Sequence, residues 1–378
     1  MSSKLIVNTI RHTGASSDAV TLASDGTCTA NLTNKPNRNL IINGDFSVDQ
    51  RNSGSEVNPA VNGTFSLDRW KNTCNSAGKY KIQQVSDSPD GFYKSLKVTS
   101  LSALSVGSGE FQHIDHNIEG LNMNHLNFGS SAAKTITLSF FVKASITGTF
   151  PVAFRNNAYN RTNVNTYTIS SANTWEKKTI TITGDTSGTW LQTNGKGMRI
   201  AFALAGGSDY DVSSLSTWIG SNDFTHSSCT DLLATNGATL QLAGVQLELG
   251  SVATDFEHRS FGQELALCMR YYETHNSLAT AKSTDGSITS YWSTVTSNDS
   301  NTLVIPTGII YKVPKRASPT VTIYNPGNTA TAARVSAQGT ERIVTATYGG
   351  PNALTRIYVS GASAGNYVTY NWEASAEL

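Results

Sequence analysis

Aromatic rings set among amides, carboxylates and guanidinium groups are the feature of this 378-residue chain that could do chemistry. Sugars offer C–H faces that stack on a π-surface, while Asn, Asp, Gln and Arg exchange hydrogen bonds with their hydroxyls. The candidate rings are Trp70, Tyr80, Tyr93, Tyr159, Trp175, Trp190, Trp218 and Trp292. Trp70 follows Leu67-Asp68-Arg69 in a strand-like setting that favours the core. Trp175 precedes Glu176-Lys177-Lys178 at the head of a strong strand, which favours core or sheet edge. Trp190 and Trp218 sit among Gly, Ser and Thr, where loops are expected, and are the better candidates for ligand contact. In Arg155-Asn156-Asn157-Ala158-Tyr159-Asn160-Arg161 an aromatic stands between two arginines, a set suited to an anionic sugar, although an ordinary solvated loop is the favoured account. The glycan-contact candidates are therefore Trp190, Trp218, Tyr159, Arg155 and Arg161.

Hydrolysis of a glycosidic bond needs two carboxylates about 5 to 10 Å apart. Asp45, Asp49, Asp68, Asp115, Glu119, Asp209, Asp211, Asp223 and Asp231 are available, but no spacing pairs them. Asp209-Tyr210-Asp211 would put two carboxylates on one face of a strand, while the Gly206-Gly207-Ser208 approach argues for a loop. A structural cation is an alternative use of such oxygens, so a metal site is left open. In an alternating strand, His113 and Asp115 of His113-Ile114-Asp115-His116 share a face and His116 points away, which is no three-ligand set. No G-x-S-x-G elbow, H-E-x-x-H helix or phosphate loop occurs. No catalytic residue and no cofactor is expected.

The bulk properties agree. Net charge is +1, from 28 basic and 27 acidic residues, whereas nucleic-acid binders concentrate Lys and Arg. Charged residues make up only 15 %, below the usual quarter, so Ser, Thr, Asn and Gly carry the polarity. Cys28, Cys74, Cys229 and Cys268 match no zinc spacing, and free, mostly buried thiols are the favoured state. The apolar run at Leu5-Ile6-Val7 is too short for a signal peptide, and no stretch reaches the length of a membrane span. Synthesis in a cytoplasm without Sec export is expected.

The elements that would position these residues are strands. In residues 1–38, Leu5, Val7 and Ile10, then Val20 and Leu22, alternate loosely around the breaker Gly14-Ala15-Ser16-Ser17 and the turn pair Asp25-Gly26. Such short strands need neighbours. Residues 39–258 form the main domain. Leu40-Ile41-Ile42 reads as a short buried strand stopped by Asn43-Gly44-Asp45, and Val245 to Gly250 alternates strictly. Between them Lys79–Val85, Ser95–Thr99, Thr135–Ala144, Thr179–Thr183 and Met198–Leu204 read as strands separated by turn signals, with no long helical period. Residues 259–275 hold one connecting helix, Phe261 to Glu273, with a stripe of Phe261, Leu265, Cys268 and Tyr272 and a capping box from Ser260 to Gln263. Residues 276–378 form a second β domain. Its strands are Thr302–Pro306, Thr320–Tyr324, Arg342–Thr347 and Tyr367–Trp372, with a turn at Asn325-Pro326-Gly327-Asn328 and Pro319 at an edge or a strand start. The expected fold is all-β: a jelly-roll β-sandwich, a short helix and a second, smaller β-sandwich, after an extended N-terminal segment.

Four phrases carry a family resemblance: Asn43-Gly44-Asp45-Phe46; Asp68-Arg69-Trp70; Gln246-Leu247-Glu248-Leu249-Gly250 through Phe256-Glu257-His258-Arg259; and Cys268-Met269-Arg270-Tyr271-Tyr272. Pro319-Thr320-Val321-Thr322 and the ending Tyr370 to Leu378 add to it. In this order they resemble a bacteriophage tail-fibre or virion-appendage protein with a carbohydrate-binding-module-like jelly roll, of a kind associated with phages of marine bacteria including cyanobacteria. The resemblance implies a structural virion protein, a homotrimer. Residues 1–38 would join it to other virion proteins of tail or capsid, and its jelly roll would touch host-surface glycan. Assembly would then occur in the host cytoplasm, with release by lysis. A tail fibre is the leading expectation. A capsid-decorating fibre, a virion-borne glycan depolymerase and a free carbohydrate-binding module of a secreted bacterial enzyme are the alternatives.

Overall fold

Thr-rich alternation of apolar and polar residues drives nearly every element here into antiparallel strands. The computed structural model describes residues 7–14, 18–22, 24, 28–30, 36–58, 60–275, 291–294, 297–299, 302–325, 330, 332–335, 340–360 and 367–378. The chain begins with β1 (Thr9–Ile10), β2 (Val20–Leu22) and β3 (Cys28–Ala30), paired as one three-stranded sheet. Ile10 and Leu22 on it are 53 % and 40 % exposed. Leu5 and the Asp25-Gly26 turn lie outside the described residues.

The main body is built from β4 (Phe65–Leu67), β5 (Trp70–Cys74), β6 (Tyr80–Val85), β7 (Ser95–Ser100), β8 (Phe111–Glu119), β9 (Ile136–Ala144), β10 (Gly148–Asn156), β11 (Thr162–Ile169), β12 (Glu176–Ile182), β13 (Lys196–Gly206) and β14 (Thr239–Leu249). A six-stranded sheet in the order β11-β10-β13-β8-β5-β4 stacks on a five-stranded sheet in the order β12-β9-β14-β7-β6. Period-two alternation fills the space between them. Phe154, Met198, Ile200, Phe202, Ile114 and Trp70 come from the first sheet; Phe140, Leu138, Val98, Ile82 and Leu247 come from the second. The strands expected between residues 79 and 204, and the one from Val245, all form.

The opening phrase differs from expectation. Residues 39–46 form no ladder strand: residues 42–45 bend and turn, and Asn43 and Phe46 take left-handed conformations, φ 59° and 57°. They run beside β14 through Leu40 N–H to the Leu247 carbonyl and Val245 N–H to the Gly44 carbonyl, both 2.8 Å. Side chains replace the ladder: Asn39 accepts from the N–H groups of Ile41 and Leu247, and Asn43 donates to the carbonyls of Val48 and Asp68. Gly44 is required, because a Cβ there would lie 2.1 Å from the Val245 carbonyl oxygen.

The helix α1 (Phe261–Met269) carries the expected capping box at Ser260 and Gln263. It is shorter than expected, and its buried face is Glu264, Cys268 and Met269, with Phe261 exposed. The reason is Tyr272, which leaves the helix to begin β15 (Tyr272–Thr274), a partner of the last strand. The remaining strands are β16 (Tyr291–Thr294), β17 (Ser297–Asp299), β18 (Thr302–Ile310), β19 (Thr320–Tyr324), β20 (Ala332–Val335), β21 (Thr340–Gly349), β22 (Ala353–Ser360) and β23 (Tyr367–Ser375). They form one sheet in the order β15-β23-β20-β21-β22-β18-β17, with β16 and β19 also on β23. A separate core of Ile323, Leu354, Ile357, Val368, Tyr370 and Trp372 lies against it. Pro319 directly precedes β19, and the Asn325 to Asn328 turn lies largely outside the described residues.

The two β units meet in a buried polar joint. Arg69 pairs with Glu377 and lies 3.6 Å over the Tyr271 ring. Arg51 pairs with Glu377 at 2.9 Å and lies 3.6 Å over the Tyr272 ring. Arg270 and the Tyr271 hydroxyl both donate to Glu119, at 2.6 Å each. Cys74, Cys229 and Cys268 are free thiols. No helix among the described residues is long and apolar enough to cross a membrane.

Candidate functional site

The outer face of the six-stranded sheet carries the candidate site. Alternation sends Lys71 and Thr73 of β5, His113 and Asp115 of β8, Arg155 of β10 and Arg199 of β13 outward, because their neighbours Trp70, Ile114, Phe154 and Ile200 fill the core. Register then aligns them in rows. Lys71, Asp115, Ala201 and Ala153 face one another in one row; Thr73, His113 and Ala203 form the next; Asn117, Arg199 and Arg155 the third. The alanines leave a low floor, on which Val212 and Phe224 of the β13–β14 connection pack. What they leave uncovered is a hollow of about 320 Å³, lined by Lys71, Thr73, Phe111, His113, Arg155, Tyr159, Arg199, Tyr210 and Phe224 together with Asn62, Gly63 and Asn222. Its size lies at the lower end of the ~300–1,000 Å³ common for ligand pockets.

Tyr159 enters this hollow from the β10–β11 turn. Asn156 ties the turn by accepting from the N–H groups of Asn160 and Arg161 and donating to the Thr189 carbonyl. Tyr159 has φ 56°, a left-handed conformation that an aromatic residue adopts only under local constraint. Its ring sits 4.8 Å from the Arg155 guanidinium carbon and 4.6 Å from that of Arg199, and its hydroxyl is 3.3 Å from Lys196 Nζ.

The electrostatics are lopsided. Asp115 is fully buried; burial would raise its pKa, but Arg199 at 3.3 Å, His113 at 2.6 Å and the Thr73 hydroxyl hold it well below the usual carboxylate range. It serves as a fixed anion under the floor. His113 is pushed down by burial, against the pull of Asp115. Burial, then Arg199, pushes Arg155 down to about 10. Burial, then Arg199 and Lys71, pushes Lys196 down to about 7. Asp223 is the other carboxylate that reaches Arg155.

The five residues expected at a glycan site divide. Arg155 and Tyr159 line the hollow. Trp190 is 6 % exposed, packs edge-on against Phe128 and Trp218, and donates to the Ser187 carbonyl. Trp218 is half-buried against the same Phe128 and donates to the Thr183 carbonyl at 2.7 Å. Arg161 holds Asp185 through two bonds, at 2.8 and 2.6 Å. These three form a packed cluster away from the hollow lining. Of the other rings, Trp70 and Tyr80 are core, Tyr93 is exposed, and the Trp292 side chain is outside the description. Sequence reasoning missed Arg199, Lys71, Phe111, Tyr210 and Phe224. Arg199 did leave a signal: it is the one charged residue within the apolar run Met198 to Leu204.

The carboxylates Asp209 and Asp211 lie in and just after a short 3₁₀ turn, Ser208–Tyr210. Asp211 lines a second hollow of about 280 Å³ with Asp231 and His226; Asp209 instead approaches the Ser108 hydroxyl at 3.3 Å. Burial raises the pKa of both Asp211 and Asp231. His116 turns inward as alternation demands, edge-on to Trp70. Among the described residues no group of three or more His, Cys, Asp or Glu gathers to hold a metal.

No protein-family model and no curated protein matches this chain. Among solved structures, the enzymatically active domain of bacteriophage CBA120 tailspike protein 4 is similar over 58 % of this chain and 24 % of its own, with TM-score 0.33 and 12 % identity. This chain thus spans about a quarter of that protein's length. TmCBM61, solved with β-1,4-galactotriose, is similar over 56 % of this chain and 99 % of its own, with TM-score 0.29 and 10 % identity. The CBM22-1 xylan-binding domain of Paenibacillus barcinonensis Xyn10C is similar over 53 % of this chain and 99 % of its own, with TM-score 0.25 and 10 % identity.

Proposed function

We propose that this chain is a glycan-binding structural protein of a tailed-phage virion, a tail fibre that contacts the host surface and binds sugar without cleaving it. The observation that carries the reading is the hollow on the outer face of the six-stranded sheet. Phe111, Tyr159, Tyr210 and Phe224 offer ring surface there, and Arg155, Arg199, Lys71 and Asn222 offer donors. The one carboxylate beneath it, Asp115, is neutralised and held ionised, so it is unsuited to protonate a leaving group. Residues 1–38 are the attachment and self-association segment. Their three-stranded sheet is too small for a core of its own, and Ile10 and Leu22 stand exposed on it, which supports assembly with copies of itself and with virion neighbours. As a homotrimer, several modest sites would gain about 10² to 10⁴ in avidity.

A glycan array probed with the purified protein tests the binding, and no retained glycan in any class would end the reading. Labelling intact phage particles with an antibody to this chain tests the location; label absent from the tail would remove the fibre role. A second reading, a virion-borne depolymerase, is favoured by Asp211 and Asp231 sharing a hollow with raised pKa values. Release of new reducing ends from host polysaccharide, lost in Asp211→Asn, would establish it instead.

A further inference from the structure

We infer that the hollow selects an acidic sugar, its carboxylate or sulfate oxygens held between Arg155 and Arg199 with Lys71 and Lys196 beside them. This rests on the glycan-binding reading and names the class of glycan. Arg155 and Arg199 are direct register partners on β10 and β13, 3 % and 4 % exposed. Two guanidinium groups so placed repel one another and have been stripped of water, which a structure tolerates when something else compensates. The protein compensates only in part. Arg155 donates through Nη2 to the Asn222 carbonyl and side chain, and Arg199 reaches Asp115 at 3.3 Å. Nε of Arg155 and Nε of Arg199 are both buried and donate to no protein acceptor. A buried donor left unmade is costly, and the two arginines that carry these donors line the same hollow.

The charges around the hollow point the same way. Lys71, Arg155, Arg199 and Lys196 influence one another there, against Asp115 beneath the floor, Asp223 beside Arg155 and Glu377, which acts on Lys71. The lining itself carries Lys71, Arg155 and Arg199 and no carboxylate, which leaves an excess of positive charge in a partly desolvated cleft. An oxyanion presents two or three acceptors to guanidinium forks, bonds that are charge-assisted and stronger than those to a neutral hydroxyl. Tyr159 is held against both guanidiniums and Phe111 lines the same hollow, so ring surface for a pyranose adjoins the anion position. A neutral glycan would leave the charge excess uncompensated.

The test uses the full chain and a glycan array that spans uronic acids, sialic acids, sulfate esters and neutral oligosaccharides, followed by titration calorimetry. The best acidic ligand is compared with its carboxyl-reduced or desulfated counterpart, which keeps the ring surface and removes the anion. The expected result is at least about tenfold weaker binding of the neutral counterpart, the loss of one charge-assisted contact. The sulfated and carboxylated arms tell which oxyanion is preferred. Lys71→Gln, which keeps a polar side chain at a half-buried position of β5, should weaken the acidic ligand more than a neutral one. Neutral and acidic ligands binding alike, or Lys71→Gln weakening both equally, overturns the inference while the glycan-binding reading stands. Retention of no glycan at all ends that reading and the inference with it.

Discussion

Arg155 and Arg199 stand opposite each other across the β10–β13 ladder, and their guanidinium carbons lie 4.8 and 4.6 Å from the centre of one ring, that of Tyr159. Like charges directly opposite weaken a sheet, so this pair costs stability next to the apolar pairs Phe154–Ile200, Ala153–Ala201 and Val152–Phe202. Arrangements of that kind persist where a site requires them.

The two arginines should therefore differ on removal. Arg199 is the guanidinium partner of the buried Asp115, so Arg199→Gln leaves that carboxylate with His113 and Thr73 alone and should destabilise the protein by about 3 kcal/mol. Arg155→Gln relieves the repulsion and gives up two bonds to Asn222, an exposed residue, so it should be neutral or stabilising by up to about 1 kcal/mol. Urea denaturation followed by tryptophan fluorescence reads both. The reverse order would mean the pair is held for the fold.

Binding should respond to pH through Lys196. Its pKa of about 7, down from 10.5, reflects burial and then the charges of Arg199 and Lys71, with Arg155 adding and Asp115 opposing. A bound oxyanion favours the protonated amine, so the complex takes up a proton above pH 7 and affinity should rise as pH falls from about 8 to 6. His113, held neutral by burial beside Asp115, Arg155 and Arg199, extends the rise below its ordinary 6.5. For the unliganded fold the sign is opposite. A lysine with a depressed folded pKa contributes stability that is complete above 10.5 and lost as pH falls through about 7. Calorimetry in buffers of different ionisation enthalpy measures the uptake, and Lys196→Gln should abolish the part centred near 7.

Two carboxylates, Glu119 and Glu377, hold the joint between the β units. Glu377 serves both Arg69, itself fully buried, and Arg51. Glu377→Ala strands two guanidinium groups and should cost about 3–5 kcal/mol. Because Arg316 also grips the Ala376 and Glu377 carbonyls, the C-terminal strand should loosen with it. Amide hydrogen exchange in residues 367–378 checks this, and unchanged protection there would contradict it.

Gly44→Ala should be strongly destabilising, by about 3 kcal/mol or more, since the new methyl meets the Val245 carbonyl, a backbone atom that cannot move aside. Gly262→Ala is the control: it lies in α1 with open space around it and should stabilise by about 0.5–1 kcal/mol. Thermal melts of the two variants compare them directly.

Much of this was legible in residue order. Alternation in Thr135–Ala144 or Met198–Leu204 is a local property, and it placed the sandwich strands, the inward His116 and the outward His113 and Asp115 correctly. The capping box at Ser260 was equally local. The phrases around Asn43, Asp68, Tyr271 and the C-terminus stood out as words of a pattern. Their common purpose did not, because Asn43 Nδ2 meets the Asp68 carbonyl and Arg69 meets Glu377 only once distant segments converge.

The site divides along the same line. The sequence alone determined an all-β chain and a loop that carries Tyr159 beside Arg155, because strand period and turn chemistry depend on near neighbours. Only the tertiary structure decided that Arg199, forty-odd residues away, completes that loop, and that Trp190 and Trp218 are used for packing. Register between strands is set by which faces are buried and by the connections between them, so the partner of Arg155 could not be read from its own segment.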